Sequence, residues 1–505
     1  VTFVSQKVFR MGVLRFFDHP TSRLDEGTDI HQAYLSTLEL GVVPTTVSLA
    51  NGILSCRKES DESARLHVAR EVKHFGRPTL STASLIERDE PYFLPLELAR
   101  GRLVQVRNQL AYWEAEGLIP SEEFTQEFRQ AHHHFARASS QQADLATCAA
   151  EAELAISIVC TAAEKLAVER TAFDVGNQQR KYTNLHRLLG TTINTRGLSG
   201  GDEQYFLDAF NALAIGIDWR AIEPEQGKYL WETVDRQLSW CEFHRMIPKG
   251  GPLINLGPNG LPDWLWTWEK DLRNVQSFIS DFVETAIERY TGRIRMWEIV
   301  ARGNSGGALT LREEQRLEIV AKMLDLARHR DPESQMFLRI DQPWGEYQAR
   351  GQHRLSPFQY ADALLRAGLG LSGINLEIAV GFQPRGSAIR DPLEWVRMID
   401  LWSSLRVPLF VTLAFPSAGT PDPNCSTDLE IAPASWKGDW SPELQDQWIA
   451  TYLPPLLANK SVLGVFWEHF SDAGPHLYPN SGLMDQLGKP KPALQRITQL
   501  RTEYR

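Results

Sequence analysis

The 505-residue chain has only five cysteines, Cys56, Cys148, Cys160, Cys241 and Cys425. They make no CxxC pair and no zinc-ligand spacing, which excludes a zinc ribbon or a dithiol redox motif. An odd, scattered set reads as free buried thiols with room for one chance bridge. It leans toward a reducing compartment. No HExxH or phosphate-binding P-loop occurs, and no GxGxxG turn follows a candidate strand, so the usual zinc-protease, nucleotide and dinucleotide signatures are missing. No run reaches the ~18 apolar residues that cross a bilayer, so no membrane span is expected. The opening "VTFVSQKVFRMG" lacks the shape of a signal peptide; the compartment stays open. Positive charge is also short. The formal net charge is −10, which argues against nucleic acid as a partner.

What is present is a hydrophobic fraction of 43% against 23% charged residues, the balance of a chain with a large core. Fifteen tryptophans and twelve tyrosines fit either core packing or stacking on sugar rings. Residues 1–98 alternate in short apolar runs, "TTVSLANGILSCRK", "ARLHVAREV", "PTLSTASL" and "PYFLPLELARG", broken by Gly, Pro and Asn. Period two with such punctuation predicts a β-rich, sandwich-like module. Residues 99–178 carry Ala-, Leu- and Glu-rich helical patterns, one opening at Ser121, and predict a helical hairpin.

From residue 179 to the end, apolar strands alternate with amphipathic helices. The strand candidates are "LLGTTIN", "NALAIGIDW", "PLINL", "IRMWEIV", "MFLRID", "LEIAVGFQ", "PLFVTLAF" and "VLGVFWEHF". Eight strands with intervening helices predict an α/β fold of the (β/α)8 barrel type, with chemistry at the C-terminal strand ends. A doubly wound sheet is the runner-up.

Five blocks of this segment, in order, resemble glycoside hydrolase family 10, the endo-β-1,4-xylanases. They are "IDWRAIEPEQGKYLWETVD", "GGPLINLGPNGLPDWL", "MWEIVARGN", "RVPLFVTLAFPS" and "VLGVFWEHFSD" with "GLMDQLGKPKPALQRI". The resemblance covers residues ~185–500 and implies a polysaccharide or oligosaccharide cleft with no cofactor. It also implies two glutamates, an acid/base ending strand four and a nucleophile ending strand seven, about 5 Å apart. Those positions here match Arg302 and Leu413. A guanidinium does not donate a proton at neutral pH, and a leucine cannot attack an anomeric carbon. The expectation is therefore a carbohydrate-active barrel with a lost or relocated acid pair. It would be a glycosidase, a glycan-binding pseudoenzyme or a rigid assembly block.

Relocated acids would be Asp341 and Glu468, ending strands five and eight. Other polar groups expected at the cleft are Asp218, Asn255, Asn304, Gln383 and His469. Arg302, Arg339 and Arg385 could together grip an anionic sugar, or each could neutralise a neighbouring acid. Trp264, Trp266, Trp344 and Trp467 are candidate stacking platforms, or packed lids. The run His132–His134 invites a metal, but consecutive helical side chains point about 100° apart and cannot share one ion. No metal site is expected. The oligomeric state is not legible.

Overall fold

The computed structural model describes residues 11–19, 29–39, 41–181, 187–198, 200–351, 353–433 and 436–504. The opening residues 1–10 lie outside them.

Eight parallel strands close into a ring, each pairing with its sequence neighbours. They are β1 (Leu188–Thr192), β2 (Ala212–Ile215), β3 (Ile247–Gly250, continued by Ile254–Asn255), β4 (Met296–Ala301), β5 (Gln335–Asp341), β6 (Leu371–Ala379), β7 (Leu409–Ala414) and β8 (Val462–Trp467). Closure is made by β8 on β1, with Trp467 opposite Thr191. The expected (β/α)8 barrel is what forms, and all eight strand candidates contribute.

Alternation along each strand sends every second side chain inward. The lowest inner layer is apolar: Met296, Phe337, Phe410 and Phe466 pack together. Two residues on, the inward positions become Glu298, Arg339, Thr412 and Glu468, and β6 supplies Asn375 and Glu377. The intervening residues, such as Ile299, Ile340, Ile378 and Leu413, join the layer between strands and helices.

Two four-stranded sheets precede the barrel, built on Gly12–Phe17, Thr46–Ala50 and Ile53–Lys58, and on Tyr34–Ser36, Arg65–Ala69 and Thr79–Ser81. Leu14, Phe16 and Leu54 of one sheet share a core with Leu35, Leu66 and Val68 of the other. "PYFLPLELARG" was expected among the short runs of the β-rich module. Only Tyr92–Phe93 is strand, and Pro95 in the first turn starts a helix, the helical position where proline's missing N–H costs nothing.

The helical segment expected as a hairpin comprises three helices, α1 (Leu94–Ala115), α2 (Glu122–Ser140) and α3 (Leu145–Gln179). Ser121 caps α2 by accepting the Phe124 N–H at 3.1 Å, worth about 1 kcal/mol. Contrary to the expectation of no membrane-length run, α3 is long and apolar enough to cross a bilayer by length and composition. Small residues explain the discrepancy: its apolarity comes from alanine rather than from a leucine-rich run. Those alanines let α3 lie close to α1, α2 and the barrel helices Pro392–Ser403 and Pro442–Ala458. Leu166 shares a buried cluster with Leu393 and Val396 there. All five thiols are free, so the chance bridge does not form, and only Cys425 is not fully buried.

Candidate active-site cleft

A cleft of about 680 Å³ opens at the C-terminal ends of the strands. Its floor is a lattice of ion pairs. Arg339 on β5 reaches three carboxylates: Glu377 (Nε to Oε2, 2.8 Å), Glu298 (Nη1 to Oε1, 3.5 Å) and Glu468, in direct contact with Nη2. Arg302 leaves β4 in a left-handed turn (φ 57°). Its Nη2 contacts Glu377 and donates to Tyr478 Oη at 2.7 Å. Tyr478 donates in turn to Glu377. Lys249 on β3 and Asn375 on β6 both donate to Glu298 Oε2 at 2.6 Å. Three carboxylates thus face three cations, all nearly inaccessible to solvent.

Their proton affinities diverge. Burial pushes Glu377 up, but Arg302 and Arg339 outweigh it and hold the carboxyl at about 2. Glu468 is also pushed up by burial, and its contact with Arg339 does not fully offset this, so it stays above the usual carboxylate range. Burial raises Asp341 to about 6, against the opposing pull of Arg302.

The expected site residues fall into two groups. Asp218, Asn255, Arg302, Arg339, Arg385, Trp467, Glu468 and His469 line the cleft. Asp341, Asn304, Gln383, Trp264, Trp266 and Trp344 are not among its lining. Asp341 is buried, accepting from Ser305 Oγ at 3.1 Å, while Asn304 bonds its backbone. Gln383 pairs with Glu430 in a short two-stranded ribbon. Trp264 packs edge-on against Trp219 and Phe278 and donates to the Glu223 carbonyl. Trp266 is 42% exposed on the 3-10 turn Asp263–Trp268. Trp344 sits beneath Arg390 and against Trp395. Trp467 is held by a bond to the Ser481 carbonyl at 2.7 Å.

Each of the three arginines already holds an acid, Arg385 through Asp428. Leu413 faces the helix layer, and its inward neighbours Thr412 and Ala414 bring no acid either.

The sequence reading passed over Glu298, Glu377, Lys249 and Tyr478. Inward alternation from Phe337–Arg339 and Phe410–Thr412 would have marked Glu298 and Glu377; Tyr478 lies in a loop and gave no signal. The expectation that no GxSxG motif occurs is also wrong: Gly303-Asn304-Ser305-Gly306-Gly307 fits that nucleophile-elbow pattern. Ser305 bonds Asp341, not a histidine, so the pattern carries no triad.

Residues 178–339 match the model of glycosyl hydrolase family 10. Endo-1,4-beta-xylanase B of Thermotoga neapolitana is 25% identical over 183 residues, 34% of this chain and 50% of that protein. Endo-1,4-beta-xylanase C of Paenibacillus barcinonensis is 24% identical over 157 residues, 29% of this chain and 14% of that protein. The chain therefore matches half or less of the length of these relatives. Among solved structures, native xylanase 10B from Thermotoga maritima is 18% identical with a TM-score of 0.47, covering 64% of this chain and 97% of that one. Over residues 178–339 the barrel is similar to family 10 glycosyl hydrolases.

Proposed function

We propose that the cleft binds a neutral, xylan-type oligosaccharide and that the chain does not perform retaining hydrolysis at the strand-four and strand-seven positions. The observation that carries this reading is Arg339, which ties Glu298, Glu377 and Glu468 into one ion-paired floor. A retaining glycosidase needs one carboxylate free to attack and another free to donate a proton. Here Glu377 is bonded by two guanidinium groups and a phenol, and Arg302 stands where the acid would. Pairing of Arg302, Arg339 and Arg385 with acids favours a neutral over an anionic sugar. The xylan class is suggested by the endo-1,4-beta-xylanases that the barrel resembles.

A second reading, hydrolysis by relocated acids, draws on the opposite displacement of Glu377 and Glu468, the usual mark of an ionised partner and a protonated acid. Calorimetry with xylohexaose, cellohexaose and a uronate-bearing xylan, beside a reducing-end assay on the same glycans, separates the readings. Binding of neutral chains without turnover is expected. Turnover abolished by Glu468→Gln would establish the second reading, and no binding to any glycan would sink both.

A further inference from the structure

The loop leaving β8 brings two imidazoles onto one carboxylate oxygen. His476 Nδ1 lies 2.7 Å from the Gly474 carbonyl. A carbonyl only accepts, so Nδ1 carries the hydrogen. In a neutral ring Nε2 then turns its lone pair toward Asp422 Oδ2 at 2.9 Å and Asp472 Oδ1 at 3.9 Å. The His476 side chain is only 1% exposed, so water does not relieve this opposition of lone pairs. A cation between them does. His469 Nε2 approaches the same Asp472 Oδ1 at 3.1 Å, and its ring stacks on His476 with centroids 4.3 Å apart.

We propose that His469, Asp472 and His476 form a divalent-cation site in the wall of the cleft, of the class that takes zinc. Their ligand atoms all lie within 4.8 Å of one another. Tetrahedral zinc with bonds of roughly 2.0–2.1 Å sets its ligands roughly 3.3 Å apart, so the three side chains must draw in by up to about 1.5 Å and supply three of the four ligands, the fourth position going to solvent. The Gly474 carbonyl on Nδ1 is the outer partner that fixes the tautomer of a metal-bound histidine. Lys491 takes the other oxygen, Asp472 Oδ2, at 2.6 Å and is anchored by Ser417 and Gly482. Oδ1 is left facing the imidazoles while also accepting the Gly482 N–H at 2.7 Å. With Asp422 beside it, two carboxylates outweigh one ammonium, and the local field favours a cation.

Both histidines border the cleft. The site would brace the loop after β8 within itself, and that loop is already tied to the loop after β7 by Asn424 to the Asp472 carbonyl at 2.8 Å and Ser426 to the His476 carbonyl at 2.9 Å. None of this depends on glycan binding.

The whole chain, stripped with a chelator, is titrated with zinc chloride by calorimetry. Bound metal is counted by plasma mass spectrometry, and melting temperature is followed in parallel. One equivalent and a raised melting temperature are expected, both lost in His469→Gln and His476→Gln. The pair His132→Ala and His133→Ala should keep the equivalent. A folded wild type that takes no zinc overturns the site and assigns the gap to a proton on Nε2. So does an equivalent that survives both glutamine variants. Should those variants fail to fold by circular dichroism, cobalt decides: the wild type must show the visible absorption of a low-coordinate Co(II) site, and its absence overturns the proposal.

Discussion

Arg339 Nε lies 2.8 Å from Glu377 Oε2, an ion pair that joins β5 to β6 across the floor of the barrel. The same guanidinium contacts Glu298 and Glu468, so one side chain compensates three acids. Arg339→Met would leave all of them with less compensation than burial requires. Removing one partner of a buried pair costs about 3–5 kcal/mol. The expected loss is of that size, read from urea unfolding; a change below about 1 kcal/mol would mean the lattice relaxes around the gap.

Glu377 should make stability acid-sensitive. Its folded value of about 2 lies below the ~4.3 of an unfolded glutamate. The contribution is therefore complete above the unfolded value and declines as pH falls from ~4.3 toward 2. The stability difference between wild type and Glu377→Gln should be flat above pH ~5 and shrink below it. A difference that does not vary down to pH 3 would contradict the depressed carboxyl.

Asp341 should act in the opposite sense. Its folded value of about 6 lies above the ~3.9 of an unfolded aspartate, so the native state holds the proton more tightly and loses stability as pH rises from ~4 through 6. Asp341→Asn removes that loss and keeps an oxygen for Ser305. Its stability relative to wild type should rise between pH 4.5 and 7; matched unfolding curves at the two pH values check the sign.

The helices should unfold with the barrel. Arg102 on α1 pairs with Asp391 at 2.8 Å, both almost inaccessible, and Asp391 caps the barrel helix Pro392–Ser403. On the other face Arg390 donates to Tyr34 of the N-terminal sheets at 2.8 Å. A single calorimetric transition with matching van't Hoff enthalpy is expected for wild type. Arg102→Met should lower its midpoint and split or broaden it.

The barrel was legible because its signal is local and repeated. Each of "IRMWEIV", "MFLRID" and "PLFVTLAF" is an apolar run of strand length between amphipathic helices, and such runs have few other ways to bury both faces. α3 was legible as a helix from its alanines. Its membrane-like apolarity was overlooked, since small residues read as propensity rather than as a surface to be covered.

The site was legible only in part. Glu468 and Arg302 could be placed because they follow directly from strand ends. Asp341 could be placed on its strand but not in depth, and burial behind Ser305 is not written in "FLRID". What the sequence by itself determined is the period-two order that points Arg339, Glu298 and Glu377 into the ring. Which of them meet, and that Arg339 should answer three acids while Tyr478 arrives from a loop 101 residues beyond Glu377, was decided by closure of the barrel. Charge pairing depends on distance through space, and only the folded ring sets those distances.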